Sequence, residues 1–233
     1  GIHVFDQIHE EFRSLVRQRT TFQKDFRRSK QRIKSALMYH GIDVPEEFDF
    51  QNWSKSFESW LSGLELSTTN GTYMLENLYQ NYLFNKTQIR VLAIEIKKYA
   101  RRHFKEDYFL LRTIPGIGQL TAVAIISELG EITRFKNLNH LSSYVGIMPL
   151  MHNSGESERV GRMTYRANNW VRTILVEASW QAIRKDPAML QYYLKHAGKT
   201  NGKKAIIKVT RKLLNRVRYV LKNKQPYELG VQE

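Results

Sequence analysis

From Val4 to Tyr39 the sequence holds neither proline nor glycine, and its large apolar residues recur every three or four positions. That combination predicts one long helix, because nothing breaks it and a stripe of this period suits a helix with one buried side. One seam position holds Phe5, Phe12, Arg19, Phe26 and Ile33, and the other holds Ile8, Leu15, Phe22, Ser29 and Ala36. This is coiled-coil spacing. A second run, from about Thr72 to Phe104, places Leu75, Tyr82, Ile89 and Ile96 at one position and Leu78, Asn85, Leu92 and Tyr99 at the other. Asn85 is a polar seam residue of the kind that fixes register or partner number.

Between the two runs, Gly41 and Pro45 end the first helix, and a short amphipathic helix is expected from Asn52 to Leu64. Trp53, Phe57, Trp60, Leu61 and Leu64 fall on one side of it, either as core at the tip of a hairpin or as stacking platforms for bases. Two long helices joined by a compact tip predict an antiparallel hairpin. The same seams could instead pair between protomers in a homo-oligomer, a dimer or tetramer. The basic residues between the seams, Arg13, Arg17, Lys24, Arg27, Arg28, Lys30, Arg32 and Lys34, read either as a solvated face or as a rod alongside nucleic acid.

Charge narrows the choice of partner. Lys and Arg number 37 against 22 Asp and Glu, a formal net charge of +15, which favours a polyanion. Cysteine is absent, which removes disulfides and thiolate zinc sites. The longest apolar runs fall short of a membrane span and no signal-peptide core is evident, so a cytoplasmic protein without membrane partners is expected. No phosphate-binding Gly-Lys-Ser/Thr loop occurs, which argues against nucleotide hydrolysis. His140 and His152 stand isolated, and no metal-ligand spacing is present.

The second half changes character. Ile114-Pro115-Gly116-Ile117-Gly118 sits between apolar helical patterns, Leu110 and Leu111 before it and Ala122 to Ile126 after it. Proline disfavours helix at the preceding residue and glycine permits a tight turn. A helix–hairpin–helix is expected, with a new helix starting near Gln119. The N–H groups of Gly116, Gly118 and Gln119 would then be available to a nucleic-acid phosphate, and a plain packing turn is the alternative. A short helix around Leu138 to Tyr144 ends at Gly146 and Pro149. A polar loop from Met148 to Gly161 follows, carrying Ser154, Gly155 and Arg159.

Bracketed by helices, that loop is the place for chemistry. Ser154 is the candidate nucleophile, Gly155 lets backbone approach a phosphate, and Arg159 and Arg162 could neutralise phosphoryl charge. A serine in a polar loop also reads as a simple turn-former. A helix is expected from Thr164 to Lys185, with Arg162, Arg166 and Arg172 at its start. Another runs from Asp186-Pro187 through Lys195, and a last one from Lys203 to Lys224. The last is two-sided, with Ile206, Leu213, Val217 and Val220 opposite Lys204, Lys208, Arg211, Arg218 and Lys222, a stripe suited to phosphate contact or simple solvation. No strand alternation stands out. The expected fold is all-α: a coiled-coil hairpin over 1–107 and a compact helical domain over 108–233.

The stretch from Leu110 to Ser179 resembles the C-terminal domain of the IS110 (IS116/IS902) transposases, a group that includes Piv-type DNA invertases and bridge-RNA-guided recombinases. The resemblance rests on Pro115 to Gly118, Gly146 to Pro149, Ser154-Gly155, Gly161-Arg162, and Val171-Arg172-Thr173-Ile174-Leu175 leading to Ala178, in that order. It implies that Ser154 forms a transient covalent link to a DNA phosphate and that a guide (bridge) RNA is a partner. It also implies a RuvC-like domain ahead of the coiled coil, whose four acidic residues hold magnesium. Nothing before Phe5 supplies that domain, so the chain reads as a recombinase fragment, inactive by itself, from a bacterial or archaeal nucleoid-associated enzyme. Tyr165-Arg166-Ala167 stands where the family usually has Lys-Arg-Gly. The competing expectations are a non-catalytic, structure-specific DNA- or RNA-binding module and an oligomerisation scaffold.

Overall fold

A computed structural model describes residues 4–48, 53–154, 157–163 and 167–229. The fold is all-α apart from one two-stranded hairpin. By contacts the chain falls into two compact units, 14–95 and 1–13 with 96–233, so the division is crossed inside both long helices.

In the unit 14–95, the long helices α1 (Gln7–Tyr39) and α3 (Thr69–His103) run antiparallel around the short α2 (Lys55–Ser62). The seams pair within the chain. The Phe22 and Phe84 rings meet edge-on at 5.9 Å, and Phe26 stacks on Tyr82 at 5.0 Å. At the tip, Ile33, Leu37, Trp53, Phe57, Leu61, Leu75 and Tyr82 form one buried cluster, so the tip aromatics are core. Ser54 caps α2, accepting from the Phe57 N–H at 3.2 Å. Glu58 anchors α2 to α3, taking hydrogen bonds from Tyr82 Oη and Lys86 Nζ.

The α3 seam lies where the heptad puts it: Leu75, Tyr82, Asn85, Leu92 and Ile96 are buried. Asn85 donates to Asn81 within its own helix, at 2.9 Å to the backbone oxygen and 3.1 Å to the side chain. The α1 seam differs from expectation. His9, Phe12, Val16, Ile33 and Leu37 are buried, whereas Ile8 is 45 % exposed and Leu15 only half-buried. The second stripe therefore follows the first at four residues rather than three, with Ser29 the buried member of the expected set. Both spacings lie close to the 3.6-residue turn, so packing against the partner helix decides between them.

The other unit is built on α4 (Lys105–Thr113), α5 (Gln119–Leu129), α6 (Leu138–Val145), α7 (Asn169–Lys185), α8 (Pro187–Ala197) and α9 (Gly202–Asn223). Every residue of α5 from Ala122 to Leu129 is buried, which makes it the central helix. α9 packs its apolar stripe, including Val209, Leu213, Val217 and Val220, against α7 and α8. The start of α1 joins this core. Phe12 lies 5.0 Å from the Phe104 ring, His9 Nε2 lies 3.1 Å from Ser127 O, and Phe5 covers Gly130, the residue that ends α5.

The polar loop expected over 148–161 is instead an antiparallel hairpin of β1 (Pro149–Ser154) and β2 (Ser157–Met163). Pairing gives the backbone groups of this polar segment their partners in place of a helix. Met151 faces Val160, His152 faces Arg159, and Ser154 faces Ser157, with a register shift between Pro149 and Met151. α7 consequently starts at Asn169, later than the expected Thr164, and Arg162 lies on β2 rather than at a helix start.

Candidate functional site

The turn between α4 and α5 is the first part of the site. Ile114 ends α4 in an extended conformation and Gly118 caps α5 without a side-chain hydrogen bond. Gly116 adopts φ +90°, and a Cβ there would stand 2.4 Å from Ala178 O and 2.8 Å from Ala182 N. The glycine is required because the turn lies directly on the backbone of α7. Gly118 has open space around it and is exposed, Gln119 is half-buried, and Leu120 is exposed. Of the three residues expected to offer N–H groups, Gly118 and Gln119 remain on the accessible side, and Gly116 serves packing.

The segments on either side of the hairpin are held by hydrogen bonds. Gly146 closes α6 in a left-handed conformation at φ +80°, and its carbonyl accepts from Arg172 Nη1 at 3.1 Å. This places Arg172, a predicted nucleic-acid contact, against the exit of α6. On the return side, the Asn168 N–H donates to Tyr144 O at 3.0 Å. The Asn168 side chain does two jobs. Its Oδ1 caps α7 by accepting from Val171 N, and its Nδ2 donates to Glu128 Oε2 at 2.7 Å.

Glu128 is fully buried and also receives Arg13 at 3.3 Å, while its backbone carbonyl accepts from Tyr144 Oη at 3.0 Å. Arg13, Glu128, Tyr144 and Asn168 thus tie α1, α5, α6 and the start of α7 together, and sequence reasoning missed them. The available signal was a lone carboxylate in an otherwise apolar helix, since a buried charge needs partners. Ser154 is the last residue of β1. Arg159 is paired with His152 in the ladder and Arg162 also lies on β2. Gly155 and Arg166 lie outside the described residues.

The basic stripe of α9 is on the surface. Lys204, Lys208 and Lys222 are exposed, and Arg211 and Arg218 half-buried. Arg211 donates to Asn139 Oδ1 at 2.6 Å, Arg218 to Lys136 O at 3.3 Å, and Lys208 Nζ lies 3.3 Å from His196 Nδ1. These partners are neutral, so the side chains are oriented while their charge stays available. Among the described residues no three His, Asp or Glu side chains are grouped to hold a metal ion, and no helix is long and apolar enough to cross a membrane.

Residues 108–194 match the family described as Transposase IS116/IS110/IS902. The chain is 25% identical over 180 residues to y4qE of Sinorhizobium fredii, named as a transposase, covering 77% of this chain and 42% of that protein. It is 31% identical over 111 residues to the transposase for insertion sequence element IS1111A of Coxiella burnetii, covering 48% of this chain and 30% of that protein. It is 30% identical over 128 residues to the pilin gene-inverting protein of Moraxella bovis, covering 53% and 39% respectively. The chain therefore spans less than half the length of these curated relatives.

Proposed function

We propose, for a chain whose residues 108–194 match the IS116/IS110/IS902 transposase family, that it is the nucleophile-bearing and DNA-gripping part of a DNA recombinase. Ser154 is the nucleophile in this reading. The observation that carries it is the place of Ser154 within the family-matched stretch, as the last residue of the first strand of a short hairpin. The Ser154 oxygen forms an ester bond to a DNA phosphorus, the bond from phosphorus to the sugar oxygen breaks, and the sugar oxygen leaves carrying the proton.

The basic face of α9, with Gly118 and Gln119 at the start of α5, would hold the strand by its phosphates. A guide RNA is the proposed second nucleic-acid partner. Magnesium, held by carboxylates of a RuvC-like domain preceding this sequence, would supply charge neutralisation at the phosphate. Self-association would use surfaces outside the seams, which the chain fills by itself. Phe84, Val91 and Ile94, each about half exposed on α3, form the apolar strip available to a second copy.

The test uses the longer protein. Ser154→Ala is expected to abolish strand exchange and the covalent protein–DNA adduct while leaving nucleic-acid affinity and its salt dependence unchanged. A persisting adduct moves the role to another residue, with Ser157 the next to replace. Binding without any adduct in the unsubstituted protein would favour a non-catalytic nucleic-acid-binding module.

A further inference from the structure

α4 has two unlike sides. Tyr108 and Leu111 are fully buried, whereas Lys105, Phe109 and Arg112 are exposed. These three follow one another at steps of four and three residues, so they share one face of the helix. At about 1.5 Å per residue, the two cationic residues stand roughly 10 Å apart along the axis with the Phe109 ring between them. Phe109 is 45 % exposed. The carboxylates of α4 are engaged by another partner: Lys224 Nζ donates to Asp107 Oδ1 and lies 3.6 Å from Glu106 Oε2. The buried Tyr108 ring backs both neighbours on the exposed face. The Arg112 guanidinium lies 5.5 Å from its centre, and Phe109 meets it edge-on at 5.4 Å. Arg101 and Arg102, exposed at the end of α3, immediately precede this face in the chain.

We propose that this face of α4 is a stacking platform for an unpaired base of a DNA strand, with Phe109 under the base and Lys105 and Arg112 on the phosphates to either side. The proposal rests on the nucleic-acid-binding reading above and adds the state of the DNA that is bound, a strand opened out of its duplex. A base inside a duplex is covered by its neighbours on both faces, so only an unpaired base can lie on a protein ring. An aromatic face set among cations is the combination that holds a single strand, because charge takes the backbone and stacking takes the base whatever its identity.

Charge selects this occupant over a second copy of the chain. A copy meeting the face across a two-fold axis would set its own Lys105 and Arg112 against these, whereas a DNA strand brings phosphates. α4 also leads directly into the turn that carries Gly118 and Gln119, so the platform and the N–H groups of that turn belong to one stretch of chain.

The experiment measures fluorescence anisotropy of one labelled sequence as single-stranded DNA, as duplex DNA and as single-stranded RNA. It compares the 233-residue chain with Phe109→Ala, Phe109→Leu, Phe109→Trp and Arg112→Gln. Phe109→Ala is expected to weaken single-stranded DNA binding by roughly five- to 150-fold, the range for one base lost from an aromatic ring, and to leave duplex binding unchanged. Phe109→Leu keeps apolar bulk without a π face and is expected to lose as much, whereas Phe109→Trp is expected to keep full affinity. Arg112→Gln is expected to reduce the single-strand salt slope by about 0.7. If Phe109→Ala binds the single strand as tightly as the unsubstituted chain, the proposal falls, while duplex binding upholds the wider reading. Full affinity in Phe109→Leu, an equal loss on duplex, or a loss on the RNA strand alone overturns it too. Self-association in sedimentation that Phe109→Ala abolishes, with single-strand affinity unchanged, assigns the face to a second copy instead. If the unsubstituted chain binds neither strand nor duplex at low salt, the platform and the wider nucleic-acid reading fall together.

Discussion

Gly116→Ala tests the packing of the α4–α5 turn against α7. At φ +90° an alanine incurs roughly 1–2 kcal/mol of backbone strain. Its methyl group would lie 2.4 Å from Ala178 O, 2.8 Å from Ala182 N and 3.1 Å from Ala182 Cα. All three are backbone atoms of a helix, so no side-chain rotation makes room and the turn must move off α7. Overpacking of this kind costs about 1–3 kcal/mol. Together the terms predict a loss of roughly 2–5 kcal/mol, a large share of the stability of a typical domain.

Gly118→Ala is the internal control. Its φ is −85° and nothing lies within 4 Å of the added atom, so the cost is the lost glycine cap, under about 1 kcal/mol. Urea unfolding gives the total, and hydrogen exchange over α5 and α7 shows whether the loss is local to that contact. If Gly116→Ala unfolds at the same urea concentration as Gly118→Ala, with unchanged exchange in α7, the packing argument is wrong.

Three further outcomes follow from buried groups. Arg13→Ala is expected to destabilise the fold by up to about 3 kcal/mol, because it removes an ion-pair partner of the fully buried Glu128, whereas Glu128→Gln keeps an acceptor for Asn168 and costs less; thermal melts of the two variants check the order. Burial holds the pKa of His9 below its ordinary value despite its hydrogen bond to Ser127 O, so the unfolded chain binds the proton more readily. The His9 contribution is therefore complete above the unfolded pKa and lost as pH falls toward the folded one. Urea midpoints measured down that interval should fall less steeply in His9→Gln. Val16→Asp should disrupt helicity and folding far more than Leu15→Asp, by several kcal/mol against about 1 kcal/mol, and equal circular-dichroism melts would restore the three-residue seam.

Much of the helical framework was legible in the chain. The α3 seam, the buried tip aromatics, the turn at Pro115 to Gly118 and the two-sided α9 all lie where periodicity and breakers put them, because each depends on neighbours within a few turns. The β-hairpin was missed. Its residues are polar and weakly alternating, and the signal was the spacing, with only Gly155 and Glu156 separating two strands that pair one to one from Met151 to Ser154.

The amino-acid sequence by itself determined the long helices, the net charge of +15 and the order of motifs over the stretch that matches the transposase family. Only the tertiary structure decided which α1 stripe is buried, why position 116 must be glycine, and which residues gather around Glu128. The reason is physical. Helix formation and charge are properties of nearby residues, whereas Gly116 against Ala178, or Arg13 and Asn168 on Glu128, are contacts between residues far apart in the chain. Such contacts exist only once close packing has brought them together.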